Sequence, residues 1–373
     1  MLYGLRFVPN HPVYRLQEAV EHFLFTGTQH VPFGGKCFPD WFDSVFSNCS
    51  SLRQRAQTVY RLMNSASPAI RQQVKAIWIS HNKVQALCDD KQCRIRKLQS
   101  GSTALDVALT DLFRYLFDDI FENKSFVSAV GGRSIDDHYI AFRRLGQRVC
   151  PFCGIDNYID RGGGSRSAYD HYLARSIYPL ASVNFFNLVP MCDICNRRPN
   201  KGTKNVLFTD AERPRRRRVF YPYGPVGGVR VSLSLAKRPA LNFGGEWTVK
   251  IRPKKQGEID KIQTWLSIFN IPKRFGGRLA EEHAIWTCDF LRHRQYSQRP
   301  DLRALRRDFK REARELANTT MLENKSESAL QGAFFQFLAT RADPAFVRSL
   351  AQTANSAFIT STAITSIRRS KSI

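Results

Sequence analysis

Two Cys-x-x-Cys pairs, Cys150/Cys153 and Cys192/Cys195, enclose Asp170-His171 and Asn187, and Asn196 follows the last cysteine directly. Each pair sets two sulfurs about one metal radius apart, and two pairs close a tetrahedron of thiolates with bonds of about 2.3 Å. Cys150, Cys153, Cys192 and Cys195 are therefore expected to hold a structural Zn²⁺, which in so short a segment replaces a core the chain cannot build. The polar residues between and beside them are of a different kind. An imidazole, a carboxylate and two amides suit a second, harder divalent cation and a general base. The remaining cysteines, Cys37, Cys49, Cys88, Cys93 and Cys288, are scattered. An odd total without a secretory start argues against a disulfide framework, so they are expected to be reduced thiols, mostly buried.

The chain carries 57 Lys and Arg against 32 Asp and Glu, a net charge of +25. Such an excess repels itself, and a polyanion relieves the repulsion, so nucleic acid is the expected partner. No apolar run approaches the length a membrane span needs. The start, MLYGLRFVPNHPVYR, meets charges and prolines early and lacks a signal peptide's apolar middle. The expectation is a cytoplasmic protein with no membrane partner.

Several elements must position the chemical residues. Ile70, Val74 and Ile77 recur at helical spacing behind Pro68, and Leu105, Leu109, Leu112, Leu116 and Ile120 share one face of a second predicted helix. Ser134 looks like an N-cap, which makes Asp136 and Asp137 helix-start partners and not metal ligands. Val229, Val231, Leu233 and Leu235 alternate with polar residues, as do Trp247, Val249 and Ile251. This predicts a hairpin with a long connection through Pro239 and Gly244-Gly245. Ile262, Trp265, Leu266 and Phe269 mark a helix. Leu302, Leu305, Phe309, Ala313 and Leu316 mark another at 301–317, with Arg303, Arg306, Arg307, Lys310, Arg311 and Arg314 off its apolar stripe. The final Ser/Thr/Arg-rich stretch is expected to fray. The reading is an α+β protein in four parts. These are a helical region at 1–145, the cysteine-bearing module at 146–225, a β-hairpin plus helix at 226–275, and a basic helical region at 276–373.

Cys150–Cys153, Asp170-His171-Tyr172-Leu173, Tyr178-Pro179, Ser182-Val183 and Asn187-Leu188-Val189-Pro190 precede Cys192–Cys195-Asn196. In this order they resemble the HNH endonuclease family in its zinc-stapled form, and most closely a bacterial subgroup of it. The resemblance extends weakly to Phe220-Tyr221-Pro222-Tyr223 and says nothing firm about 1–140 or 280–373. It implies a small ββα-metal module: two antiparallel strands and a helix around one catalytic divalent ion, with cleavage leaving a 5′ phosphate. Position by position, His171 resembles the general base, which takes a proton from water attacking phosphorus. Asp170 is similar to the carboxylate ligand beside it, and Asn196 to the ligand on the helix. Asn187 matches the middle position, whose carbonyl would orient the His171 ring. Oxygen donors at Asp170 and Asn196 suit Mg²⁺ or Mn²⁺. Adjacent strand residues point to opposite faces, so Asp170 and His171 need a bulge or a strand end to serve one site.

The sequence departs from the family after Asn196. Where relatives often carry Lys-Gly a few residues on, Arg197-Arg198-Pro199-Asn200 intervenes before Lys201-Gly202, and Pro199 interrupts a continuing helix. Arg197 or Arg198 can replace Lys201 as the cation on the transition state. Arg213, Arg215, Arg216, Arg217 and Arg218 form the best candidate clamp for a phosphate backbone, because arginine forks match its oxygens. The loop at 161–166, rich in glycine and flanked by arginine, reads as a connection near substrate phosphate. The expected activity is metal-dependent endonucleolytic hydrolysis, with DNA as the first substrate class and RNA as the second. The resemblance adds bacterial or phage defence as the setting and an ATPase as a regulatory partner. The alternative is a zinc-stabilised protein that binds nucleic acid or recruits a partner without catalysis.

Overall fold

The computed structural model describes residues 1–159, 166–210, 212–237, 245–294, 296 and 301–352. The glycine-rich loop at 161–165, the hairpin connection through Pro239 and Gly244, and the final Ser/Thr/Arg-rich stretch lie outside the described residues. The main helices before the module are α1 (Arg15–His22), α2 (Ser50–Ser65), α3 (Pro68–Asn82), α4 (Thr103–Asp118) and α5 (Ile135–Arg144). Strands β1 (Tyr169–His171) and β2 (Leu188–Pro190) then pair, followed by the single turn α6 (Asp193–Asn196). A second pair, β3 (Val229–Lys237) and β4 (Glu246–Pro253), leads into α7 (Ile259–Ile268), α8 (Ile271–His293), α9 (Leu302–Leu316) and α10 (Ser328–Thr340). Helices and two small antiparallel sheets make this an α+β fold. No described helix is long and apolar enough to cross a membrane.

The helices form where the apolar spacing placed them. In α4, Leu105, Leu109, Leu112 and Leu116 are all buried, and Ser102 caps the start by accepting from the Leu105 N–H. Ile120 is buried one short turn beyond the helix end. Ser67 caps α3 ahead of Pro68. At α5, Ser134 and Asp137 form a reciprocal capping box, and Asp136 bonds Arg166 at 2.6 Å. The acids at this helix start therefore serve the helix, as the sequence indicated. His138, on the same helix, is buried between the hydroxyls of Tyr14 and Tyr169. Helices α2 and α4 pack together, and the turn Pro179–Ala181 rests on α3 and α4.

The alternating strands pair with Val231 opposite Ile251, Leu233 opposite Val249 and Leu235 opposite Trp247, so one face of the hairpin is apolar. That face meets α8 and α10. Helix α9 buries Leu305, Phe309, Ala313 and Leu316, and Leu302 is only half-buried. Arg303, Arg307, Lys310, Arg311 and Arg314 stay exposed on its other side.

All nine cysteines are free thiols; Cys37, Cys49 and Cys88 are buried, Cys93 and Cys288 half-buried. Helix α4 offers a direct test of the core. Leu109 is fully buried and Val107 is 64% exposed. Leu109→Ala should destabilise by about 2–5 kcal/mol in urea unfolding, while Val107→Ala should stay within about 0.5 kcal/mol of the parent.

Candidate functional site

Cys150 opens a tight knuckle in which the N–H groups of Cys153 and Gly154 both donate to its carbonyl, at 3.3 and 2.8 Å. Gly154 holds φ at +68°, and a β-carbon there would meet the Leu2 side chain at 2.2 Å, so the turn needs glycine twice over. The second knuckle runs from β2 into α6, whose Asn196 N–H bonds the Cys192 carbonyl at 3.0 Å. The four sulfurs are buried and lie within 4.8 Å of one another. Cys153 Sγ and Cys192 Sγ are 3.8 Å apart. A tetrahedron with bonds of about 2.3 Å has edges of about 3.8 Å, so the spacing suits a metal ion such as zinc. Among the described residues, no other group of three or more His, Cys, Asp or Glu ligands converges in this way.

Burial opposes ionisation at Cys153, yet hydrogen bonds from the other three thiols and the charge of Arg274 hold its thiol well below the usual value. Arg274, on α8, donates to Cys195 Sγ at 3.2 Å and to Asp156 Oδ2 at 3.0 Å. The Asp156 carboxylate lies 3.4 Å from Cys153 Sγ, so Arg274 bridges the carboxylate and the sulfur cluster. A tetrathiolate around a divalent ion carries a net charge of about −2, and the guanidinium offsets part of it.

The ladder of β1 and β2 pairs Tyr169 with Pro190, Asp170 with Val189 and His171 with Leu188, without a bulge. His171 is the last residue of its strand, and the two functional side chains take separate partners. His171 Nε2 donates to the Ser182 carbonyl at 3.0 Å, and its ring lies edge-on to Phe117 of α4, centroids 4.2 Å apart. The carbonyl can only accept, so Nε2 carries the proton and Nδ1 presents its lone pair. Burial, with Arg175 and Lys201 nearby, pulls the imidazole down to about 3, which keeps it neutral around pH 7.

Asn187 acts differently from the expectation. Its own carbonyl accepts from Tyr172 N at 2.9 Å and not from the histidine. Its side chain spans the loop between the strands: Oδ1 accepts from Leu173 N at 2.7 Å, and Nδ2 donates to the carbonyls of Leu173 and Ala181, both at 3.1 Å. Asn187 thus fixes the loop that offers Ser182 to His171. Ser182 is held from behind as well, its hydroxyl donating to the Phe113 carbonyl of α4.

Asp170 faces Lys201. The lysine side chain is fully buried, with Nζ 2.8 Å from Asp170 Oδ2 and 3.1 Å from Oδ1, and it also donates to the His171 carbonyl. Oδ1 accepts a hydrogen bond, whereas Oδ2 is closer but has no aligned donor, so that contact is ionic only. Burial pushes the Asp170 carboxyl up, and Lys201 partly offsets it. The sequence placed Lys201 among surface contacts to phosphate; the structure turns it inward, because 197–201 folds back over α6. Lys201 N bonds the Cys195 carbonyl, and Asn200 Nδ2 bonds that of Ile194. Asn196 is half-buried at the end of α6, with no side-chain hydrogen bond to a described residue. The helix stops there, ahead of Pro199. A divalent ion at Asp170 and Asn196 suits the hard oxygen donors, but the ammonium of Lys201 already meets the carboxylate charge.

The arginine run also differs from a phosphate clamp. Arg216 donates to the carbonyls of Leu87 and Asp90, Arg217 to those of Asn205 and Val206, and Arg218 to those of Asp89 and Gly257. Arg216 and Arg218 tie the module to 87–90 and to the turn before α7, and Arg217 closes on 205–206 within the module. Arg213 and Arg215 are exposed, as are Arg197, paired with Asp193, and Arg198. Sequence reasoning missed Ser182, Phe117, Asp156 and Arg274. Only Ser182 carried a signal, as part of a recognised order.

No protein-family model matches this chain, and neither a curated protein nor a solved structure does.

Two outcomes follow. Asn187→Ala removes three buried hydrogen bonds and should cost about 1–3 kcal/mol, with faster hydrogen exchange at the Tyr172 and Leu173 amides. Arg274→Gln should release the cluster's metal at least several-fold faster to a colorimetric chelator.

Proposed function

We propose that this chain is a nuclease of the HNH type, built on a ββα module formed by β1, β2 and α6 and stapled by zinc at Cys150, Cys153, Cys192 and Cys195. The observation that carries the reading is the state of His171. Its Nε2–H is engaged by Ser182 on a loop pinned by Asn187, so a neutral ring keeps Nδ1 bare in a fixed direction. A general base needs a bare nitrogen in a fixed direction and a proton affinity near the working pH. The first is present. In this reading the second is restored when the negative charge of a bound phosphate offsets the burial and the nearby Arg175 and Lys201 that pull the ring down. Two other buried histidines, His81 and His283, likewise bond one carbonyl and leave the second nitrogen unpartnered. What supports the reading for His171 is therefore this tautomer together with its place at the end of β1, between the two cysteine knuckles.

In this reading His171 takes a proton from water, Asn187 and Ser182 position the ring, and the clasp holds β1 against β2 and α6. The exposed Arg198, Arg213 and Arg215 offer forks to a phosphate backbone, and the exposed arginines of α9 are further cations for a polyanion. The net charge of +25 supports a polyanionic substrate. DNA is proposed first and RNA second. A divalent ion held by Asp170 and Asn196 is what the family resemblance implies, and when bound it would stabilise charge on the reacting phosphate.

The test is cleavage of supercoiled plasmid and of tRNA, each with Mg²⁺, Mn²⁺ or EDTA. His171→Ala should lower cutting by at least about 100-fold, the lower range for removing a general base, with unchanged binding. It should also melt lower, because the imidazole is buried against Phe117, so cutting is compared at a temperature where circular dichroism shows both proteins folded. Cutting at the parental rate by His171→Ala would remove the imidazole from the chemistry. Binding without cutting by the parent on either substrate would favour the non-catalytic nucleic-acid-binding alternative.

A further inference from the structure

Buried charge is the part of this site that the proposed activity does not absorb. Asp170 is 5% exposed and Lys201 is fully buried, and among the described residues no other charged side chain is bonded to either. Burying an ion pair costs several kcal/mol of desolvation per ion, and removing one partner strands the other. The pair also sits where a cation would. Asp170 Oδ2 has no aligned donor, which leaves a carboxylate lone pair unmet by any hydrogen bond. Lys201 Nζ bonds the Asp170 carboxylate and the His171 carbonyl together. Two oxygen types from successive residues, one anionic and one a backbone carbonyl, are ordinary ligands of a hard divalent ion.

We infer that Lys201 is the resident cation of the Asp170 site and competes with a divalent metal ion for it. The inference rests on the proposed site and adds an exclusion to it: the ammonium must leave before Mg²⁺ or Mn²⁺ reaches the carboxylate. Its means of leaving is local. Lys201 is carried on the 197–201 segment, held to α6 by Lys201 N on Cys195 and Asn200 on Ile194, and to the start of α8 by Asn270 Nδ2 on Asn200 Oδ1 at 3.2 Å. Displacement of this segment would free the carboxylate without disturbing β1 or β2. The sulfur clasp lies beneath the same segment, since Cys195 is the residue that Lys201 N bonds.

The experiment uses the full chain with its clasp metal in place. Mn²⁺ binding is measured by electron paramagnetic resonance, and melting is followed with the clasp zinc retained, in chelator-free buffer without added Mg²⁺ or Mn²⁺ and in millimolar Mn²⁺. Lys201→Met should bind Mn²⁺ at least tenfold more tightly than the parent. It should melt lower than the parent without added Mn²⁺, where Asp170 is stranded, and recover most of the loss in Mn²⁺. Asp170→Asn combined with Lys201→Met should abolish both effects. Should Lys201→Met fail to fold in either condition, Lys201→Gln repeats the comparison, because its neutral amide still donates to the His171 carbonyl. Mn²⁺ affinity in these variants no higher than in the parent would overturn the inference. So would tight parental Mn²⁺ binding that Asp170→Asn removes. Neither result touches the role of His171, and cutting that survives His171→Ala would defeat the nuclease reading while leaving the competition for Asp170 standing.

Discussion

Four sulfurs converging from two knuckles are the constraint on which the rest of this structure depends. Four distant parts of the chain fasten to the knuckles that carry them. Leu2 N bonds the Pro151 carbonyl, Trp265 Nε1 bonds the Phe152 carbonyl at 2.7 Å, and Glu327 N bonds the Gly154 carbonyl at 2.6 Å. Phe152 stacks on Phe269, and Arg274 donates directly to a ligand sulfur. The N-terminal segment, α7, α8 and the start of α10 thus meet at one short loop. Without a bound ion, four buried thiols would offer only weak hydrogen bonds as glue. With one, the metal–thiolate bonds contribute folding free energy directly at this loop.

From the clasp, order passes to the site along a short path. The second knuckle begins where β2 ends, so fixing Cys192 fixes the register of β2 on β1. The alternation of β1 itself sets Asp170 and His171 on opposite faces. Asn187 then converts a loop of more than ten residues into a defined turn with one buried amide. Its three bonds use nearly the full capacity of that side chain, which is why an aspartate or a serine would serve poorly. Helix α4 closes the other side, with Phe117 against the imidazole and the Phe113 carbonyl on Ser182. The helical N-terminal region is therefore part of the site's wall and not a separate appendage.

Much of the scaffold was legible in the residues. Apolar spacing marked α3, α4, α7 and α9, because one buried stripe on a 3.6-residue period is a local property. The hairpin followed from strict alternation, and the cysteine quartet from pair spacing. Several features were not legible, and they share a physical cause. Arg216, Arg217 and Arg218 look like a phosphate clamp in a one-dimensional reading, yet their partners are backbone carbonyls, which have no sequence signature. Ser182 reaches His171 through its carbonyl and is invisible for the same reason. Lys201 was read as a surface cation, because lysine is almost never fully buried without a partner; its partner, Asp170, lies thirty-one positions away along the chain.

X-ray absorption at the zinc K-edge of the purified full-length chain tests the central claim most directly. The account predicts about one zinc per chain, with four sulfur neighbours at about 2.3 Å and no nitrogen or oxygen in the shell. A chain that folds fully with no zinc, or whose zinc is ringed by nitrogen and oxygen, would contradict it.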